Sequence, residues 1–184
     1  AGHVNVRANS IVLDGGGVAT GIESLAYGLL GNAGQVDIAA RDQFVVRDGG
    51  SVISTALGFG SAGAITVKTA SLAIDGQGAR ETYTGIGGDA FGAGAGGAVT
   101  IDATRIALRE GGQISSATFS AADAGSVRIT ADVLSVDGGN NTEVSSGISA
   151  DSGGAGRAGT IDIRTREMTV ANEGLVSTSA LSSG

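Results

Sequence analysis

The sequence predicts an all-β fold: a right-handed parallel β-helix of about six coils, each 28–34 residues long and built from three short strands. Three observations predict it. A short motif with Gly at its anchor recurs six times, two further aliphatic segments follow each copy at nearly constant distance, and 34 Gly accompany 41% hydrophobic residues with no Pro. Gly without Pro is unlike collagen, and so much aliphatic material is unlike a disordered chain.

The first strand is carried by the motif small–Gly–x–aliphatic–x–aliphatic. It reads AGHVNV from Ala1, AGQVDI from Ala33, AGAITV from Ala62, GGAVTI from Gly96, AGSVRI from Ala124 and AGTIDI from Ala158. Alternation of this kind buries one face of a strand. A second aliphatic pair follows: Ile11/Leu13, Phe44/Val46, Leu72/Ile74, Ile106/Leu108, Leu134/Val136 and Met168/Val170. The third segment centres on Ile22, Ile53, Ile86, Ile114, Ile148 and Val176.

Recurrence of the same residue type at the same place favours parallel stacking over hairpins. In a parallel coil each position lies about 4.8 Å above its counterpart, and parallel crossovers are right-handed almost without exception. The outward positions agree, since stacking sets Lys68 on Asp102 and Arg128 on Asp162. Coils therefore start near residues 1, 33, 62, 96, 124 and 158, and residues 1–184 form a single solenoid. Neither end shows a capping element, and uncapped strand edges invite association. The expectation is a piece of a longer repeat shaft, with end-to-end self-association as an open alternative.

Charge and motifs exclude several functions. A net charge of −7 with scattered basic residues is unsuited to nucleic acid. The absence of Cys removes disulfides, thiolate metal sites and Cys nucleophiles. GxGxxG occurs at Gly58, Gly92 and Gly154, but each copy runs into a strand rather than a helix, which is the wrong context for a dinucleotide. His3 is the only His, and no GxSxG is present, so a Ser-His-Asp triad has no basis.

An acid followed by Gly closes the second strand in every coil, at Asp14, Asp48, Asp75, Glu110, Asp137 and Glu173. Acid-Gly is a turn signal, and that reading is preferred. Stacked carboxylates would also repel, so a calcium column is the alternative, and no other cofactor is expected. Longer connections in alternate coils project Arg80, Glu81, Tyr83, Asn140, Asn141 and Glu143 as candidate surface contacts. Tyr27, Phe59, Phe91 and Phe119 precede successive anchors and are read as a packing ladder, with sugar stacking as the alternative.

Units such as GNAGQVDIAARDQFVVRDGGSVISTALGFGSAG (31–63) resemble the repeats of filamentous-haemagglutinin-type exoproteins of two-partner secretion, large surface proteins of cyanobacteria and other Gram-negative bacteria. The resemblance covers essentially the whole chain. It implies export through an outer-membrane secretion partner and a place at the bacterial cell surface. Adhesion to host or neighbouring cells, biofilm, or contact with polysaccharide would follow, and no catalytic residues are implied. The expected function is a non-enzymatic shaft of an adhesin-like exoprotein. A self-assembling extracellular filament subunit and a carbohydrate-active β-helix enzyme, using paired carboxylates on an outer face, are the competing readings.

Overall fold

The computed structural model describes residues 1–77, 82–139 and 145–181. Among these residues there are twelve strands and no helix. They are β1 (Val4–Asp14), β2 (Thr20–Ala26), β3 (Val36–Arg47), β4 (Gly50–Ala56), β5 (Ile65–Asp75) and β6 (Gly85–Gly87). The series continues with β7 (Ala98–Arg109), β8 (Gln113–Ser115), β9 (Ser126–Asp137), β10 (Gly147–Ser149), β11 (Thr160–Ala171) and β12 (Leu175–Ser177). The odd-numbered strands form one parallel sheet and the even-numbered strands a second, each in chain order. This is a parallel β-solenoid with six rungs per sheet, spanning about five full turns from first rung to last.

The expected first and second strands are one continuous strand in every coil. The inward phase changes partway along it: in β1, Val4, Val6 and Ala8 are followed by Ile11 and Leu13. Where the phase changes, a file of small residues runs through the coils: Ala8, Ala40, Thr69, Ala103, Ala131 and Thr165. Small side chains there let the strand bend around the corner, and the ladder resumes after a break of one or two residues. β3 carries an extra residue at this bend, beside Arg41 and Asp42, which pair with each other at 2.9 Å in solvent. Both aliphatic files stack as the repeat requires, from Val4 through Ile161 and from Ile11 through Met168.

The third file needs one correction. Val52, not Ile53, stands between Ile22 and Ile86, and it is fully buried. Ile53 instead faces Glu23 and Gly87 and is half-buried. The cause is the turn before it. Asp48 and Gly49 both take left-handed backbone, at φ 48° and 89°, as Glu110 and Gly111 do at 48° and 93°, so the inward residue stands four after the acid in both coils, at Val52 and Ile114. Alignment of RDGGSVIS with REGGQISS sets Val52 on Ile114, so the phase of this strand was already present in the sequence.

The interior is aliphatic, with Phe44 as its one fully buried aromatic ring. Each buried aliphatic side chain contributes about 1.5–3 kcal/mol. The anchor glycines form a file of close backbone approach: a Cβ on Gly34, Gly63, Gly97, Gly125 or Gly159 would strike the carbonyl of the anchor glycine one coil before it. Buried serines seal the same corner. Ser54 Oγ accepts from Gly63 N at 3.0 Å and donates to Gly34 O at 2.6 Å, and Ser24 bridges Gly2 and Gly34 likewise. Ser116 Oγ repeats the donation, to Gly97 O.

Candidate functional site: a lateral groove across the coils

The acid-Gly series does not form the stacked column expected of it. In register, Asp14 lies on Arg47, Arg47 on Asp75, Asp75 on Arg109 and Arg109 on Asp137. The file therefore alternates in sign. Arg47 reaches Asp14 Oδ2 through Nε at 2.9 Å and Nη2 at 2.6 Å, which holds the Asp14 carboxyl below its ordinary pKa. Arg109 lies 3.7 Å from Asp75. Asp137 is also lowered, first by the Asn172 amide and then by Gly139 N.

Asp48 and Glu110 sit one residue further along, in left-handed turns, and Glu173 follows Asn172 in a third such turn. Asp14, Asp75 and Asp137 instead accept from the amide two residues on, at Gly16, Gln77 and Gly139. Two turn types alternate, and they put the acids of successive coils out of step. Among the described residues no three His, Cys, Asp or Glu side chains converge as metal ligands. His3 is committed to Asp37 at 2.8 Å on the exposed face of the first sheet.

Of the candidate contact residues, Arg80, Glu81, Asn140, Asn141 and Glu143 lie outside the described residues. Tyr83 does not project into solvent. It is half-buried with its hydroxyl 3.2 Å from Ser115 Oγ, and burial, reinforced by the Asp89 charge, pushes its phenol well above the ordinary range.

Tyr83 instead forms one wall of a groove of about 420 Å³ that crosses the coils beyond the second sheet. Past β6, β8 and β10 the pairing continues as single bridges linking Ala56, Ala90, Thr118, Ser152 and Ala180. Those residues point inward, so the residues on either side of them point out. On one side the outward file runs Asp89, Ala117, Asp151, Ser179.

Each aspartate reaches to the next coil. Asp89 accepts from Ala117 N at 2.7 Å and from Ser115 Oγ at 2.8 Å, and Asp151 accepts from Ser179 N at 2.7 Å and Ser179 Oγ at 3.1 Å. They supply the acceptors that the backbone ladder lacks at this point. Burial outweighs these bonds at Asp89 and raises its pKa.

On the other side runs an exposed apolar file. Backbone bonds from Leu57, Phe91, Phe119, Gly153 and Leu181 to the coil before fix its order as Tyr27, Leu57, Phe91, Phe119, Gly153, Leu181. Phe91 and Phe119 are 55% and 58% exposed, and their rings stack at 4.9 Å with planes 7° apart. The aromatic ladder expected from sequence is thus confined to this pair. Phe59 falls outside the file, since its amide bonds to Leu29 O, two residues further along the connection.

The groove residues Asp89 and Asp151 were not among those singled out from the sequence. A signal was present: each lies eight residues before an anchor glycine, Gly97 or Gly159, in alternate coils. Compared with known proteins, the chain matches no family model, no curated protein and no solved structure.

Proposed function

We propose that the chain is a non-catalytic shaft segment of an exported bacterial surface protein, and that it attaches to polysaccharide or to a polysaccharide-bearing cell surface through the lateral groove. The observation that carries this reading is the groove: exposed stacked rings, Phe91 on Phe119, run beside a polar wall that includes Asp89, Ser115 and Asp151 across several coils. Sugar-binding sites need this mixture, an apolar face for the ring and fixed polar groups for hydroxyls. The groove lies beside a continuously paired parallel sheet, and sites built on such elements hold their groups more precisely than loops do. The resemblance to secreted haemagglutinin-type repeats supports the extracellular setting and an outer-membrane secretion partner.

The carbohydrate-active alternative rests on Asp89 and Asp151, two carboxylates two rungs apart, about 10 Å at the spacing of a parallel ladder. Both are engaged with backbone amides of the next coil, which favours a structural role. Incubating the protein with a panel of polysaccharides separates the readings. Retention on a polysaccharide without new reducing or unsaturated ends is the expected result. Release of such ends would assign the enzyme instead.

A further inference from the structure

We propose that the gap in the apolar file at Gly153 is a stacking subsite for one ring of a neutral hexose polymer. The inference rests on the groove reading above and specifies its ligand. Five of the six coils place a large apolar side chain in this file, and the fifth coil places Gly153. Phe91 covers one face of Phe119. The opposite face looks across Gly153 toward Leu181, two rungs on. Two rungs span about 10 Å, which admits one flat ring between Phe119 and Leu181 at the spacing the two phenylalanines already keep.

The fold does not require this glycine. A Cβ at Gly153 would meet Phe119 Cα and Cδ1 at 3.5 Å and Thr118 O at 3.4 Å, which are ordinary contacts, and its φ is not left-handed. The neighbouring Gly154 and Gly156 differ, because a Cβ on either would strike backbone of the previous coil. An absent side chain that packing would tolerate leaves the slot open.

The rim selects the ligand. Asp151 Oδ1 is fixed by Ser179, while Oδ2 makes no hydrogen bond among the described residues, and Ser149 lines the same wall. A carboxylate beside an aromatic face suits a sugar, whose hydroxyls donate at the edge while its C–H face lies on the ring. It repels uronic or sulfated sugars, as does the overall charge of −7.

The test is affinity electrophoresis of the whole chain through gels containing a neutral β-glucan, a mannan or polygalacturonate. Retardation by a neutral polymer and not by polygalacturonate is expected. Gly153→Leu, which fills the slot, and Phe119→Ala, which removes its wall, should each weaken that retardation about tenfold or more. The thermal unfolding of Gly153→Leu should match the native protein, and Phe119→Ala changes an exposed position and serves as the independent variant. If Gly153→Leu binds normally while Phe91→Ala does not, the subsite is wrong and the groove reading stands. Retardation by polygalacturonate alone overturns the neutral assignment. Absence of binding to every polymer overturns both.

Discussion

Arg47 grips Asp14 on the neighbouring coil through two nitrogens, and in register its other neighbour is also an aspartate, Asp75. The same Asp–Arg alternation continues through Arg109 to Asp137, so the solenoid repeats in coil pairs rather than single coils. Arg47 and Arg109 stand 62 residues apart in RDGG and REGG, the short-turn coils. A one-coil slip would set aspartate on aspartate and arginine on arginine. Like charges directly opposite on adjacent strands are unfavourable.

Reversing one charge tests this file. Arg47→Glu creates three consecutive acids with Asp14 and Asp75, and a modest fall in Tm is expected that shrinks as salt rises, because the site is exposed. Adding Asp14→Arg should restore part of the loss. Equal Tm values for Arg47→Glu and the native chain at low salt would show that the alternation has no energetic consequence.

Asp89 predicts a pH dependence of the opposite sign to that of Asp14. Its folded pKa is raised, so the stability linked to its protonated form is fully present below about pH 3.8 and is lost as pH climbs through the folded value. Asp14 is lowered, so its contribution is present above that pH and is lost as pH falls through its folded value. Asp89→Asn keeps an acceptor for Ala117 N and removes the titration. It should be at least as stable as the native chain at pH 7, with a flatter profile as pH rises above about 3.8. Asp89→Ala strands that amide and should cost about 1–3 kcal/mol. Denaturant titrations across this range measure both.

The serine seal is a separate stability element. Ser54→Ala removes the partner of Gly63 N and Gly34 O inside the wall. A loss of about 1 kcal/mol is expected, since two half-buried backbone groups lose their bonds at once. Urea unfolding of Ser54→Ala against Ser71→Ala, the latter a position on the first sheet with a partly exposed side chain, isolates the effect.

The two kinds of glycine should behave oppositely. Gly97→Ala drives a Cβ into Gly63 O and should cost about 1–3 kcal/mol or more. Gly153→Ala meets only ordinary contacts and should leave the melting curve in place. Comparable losses in the two variants would contradict the close-approach account of the anchor file.

The sequence by itself determined the rungs. Alternation fixes which face of a strand is buried, so Val36/Ile38, Phe44/Val46 and their counterparts could be assigned inward without a structure, and six anchor glycines match the six rungs of each sheet, although these close about five turns and not six coils. In-register pairs of opposite charge such as Arg128 and Asp162, 3.5 Å apart, followed directly. Two things were left to the tertiary structure. The bend at Ala40 and Thr69 fused two segments into one strand, and the groove brought Phe119, Gly153 and Asp151 together. The physical reason is common to both. Alternation sets a face within one strand, whereas register between coils depends on how many residues each turn absorbs, and only the folded backbone fixes that number.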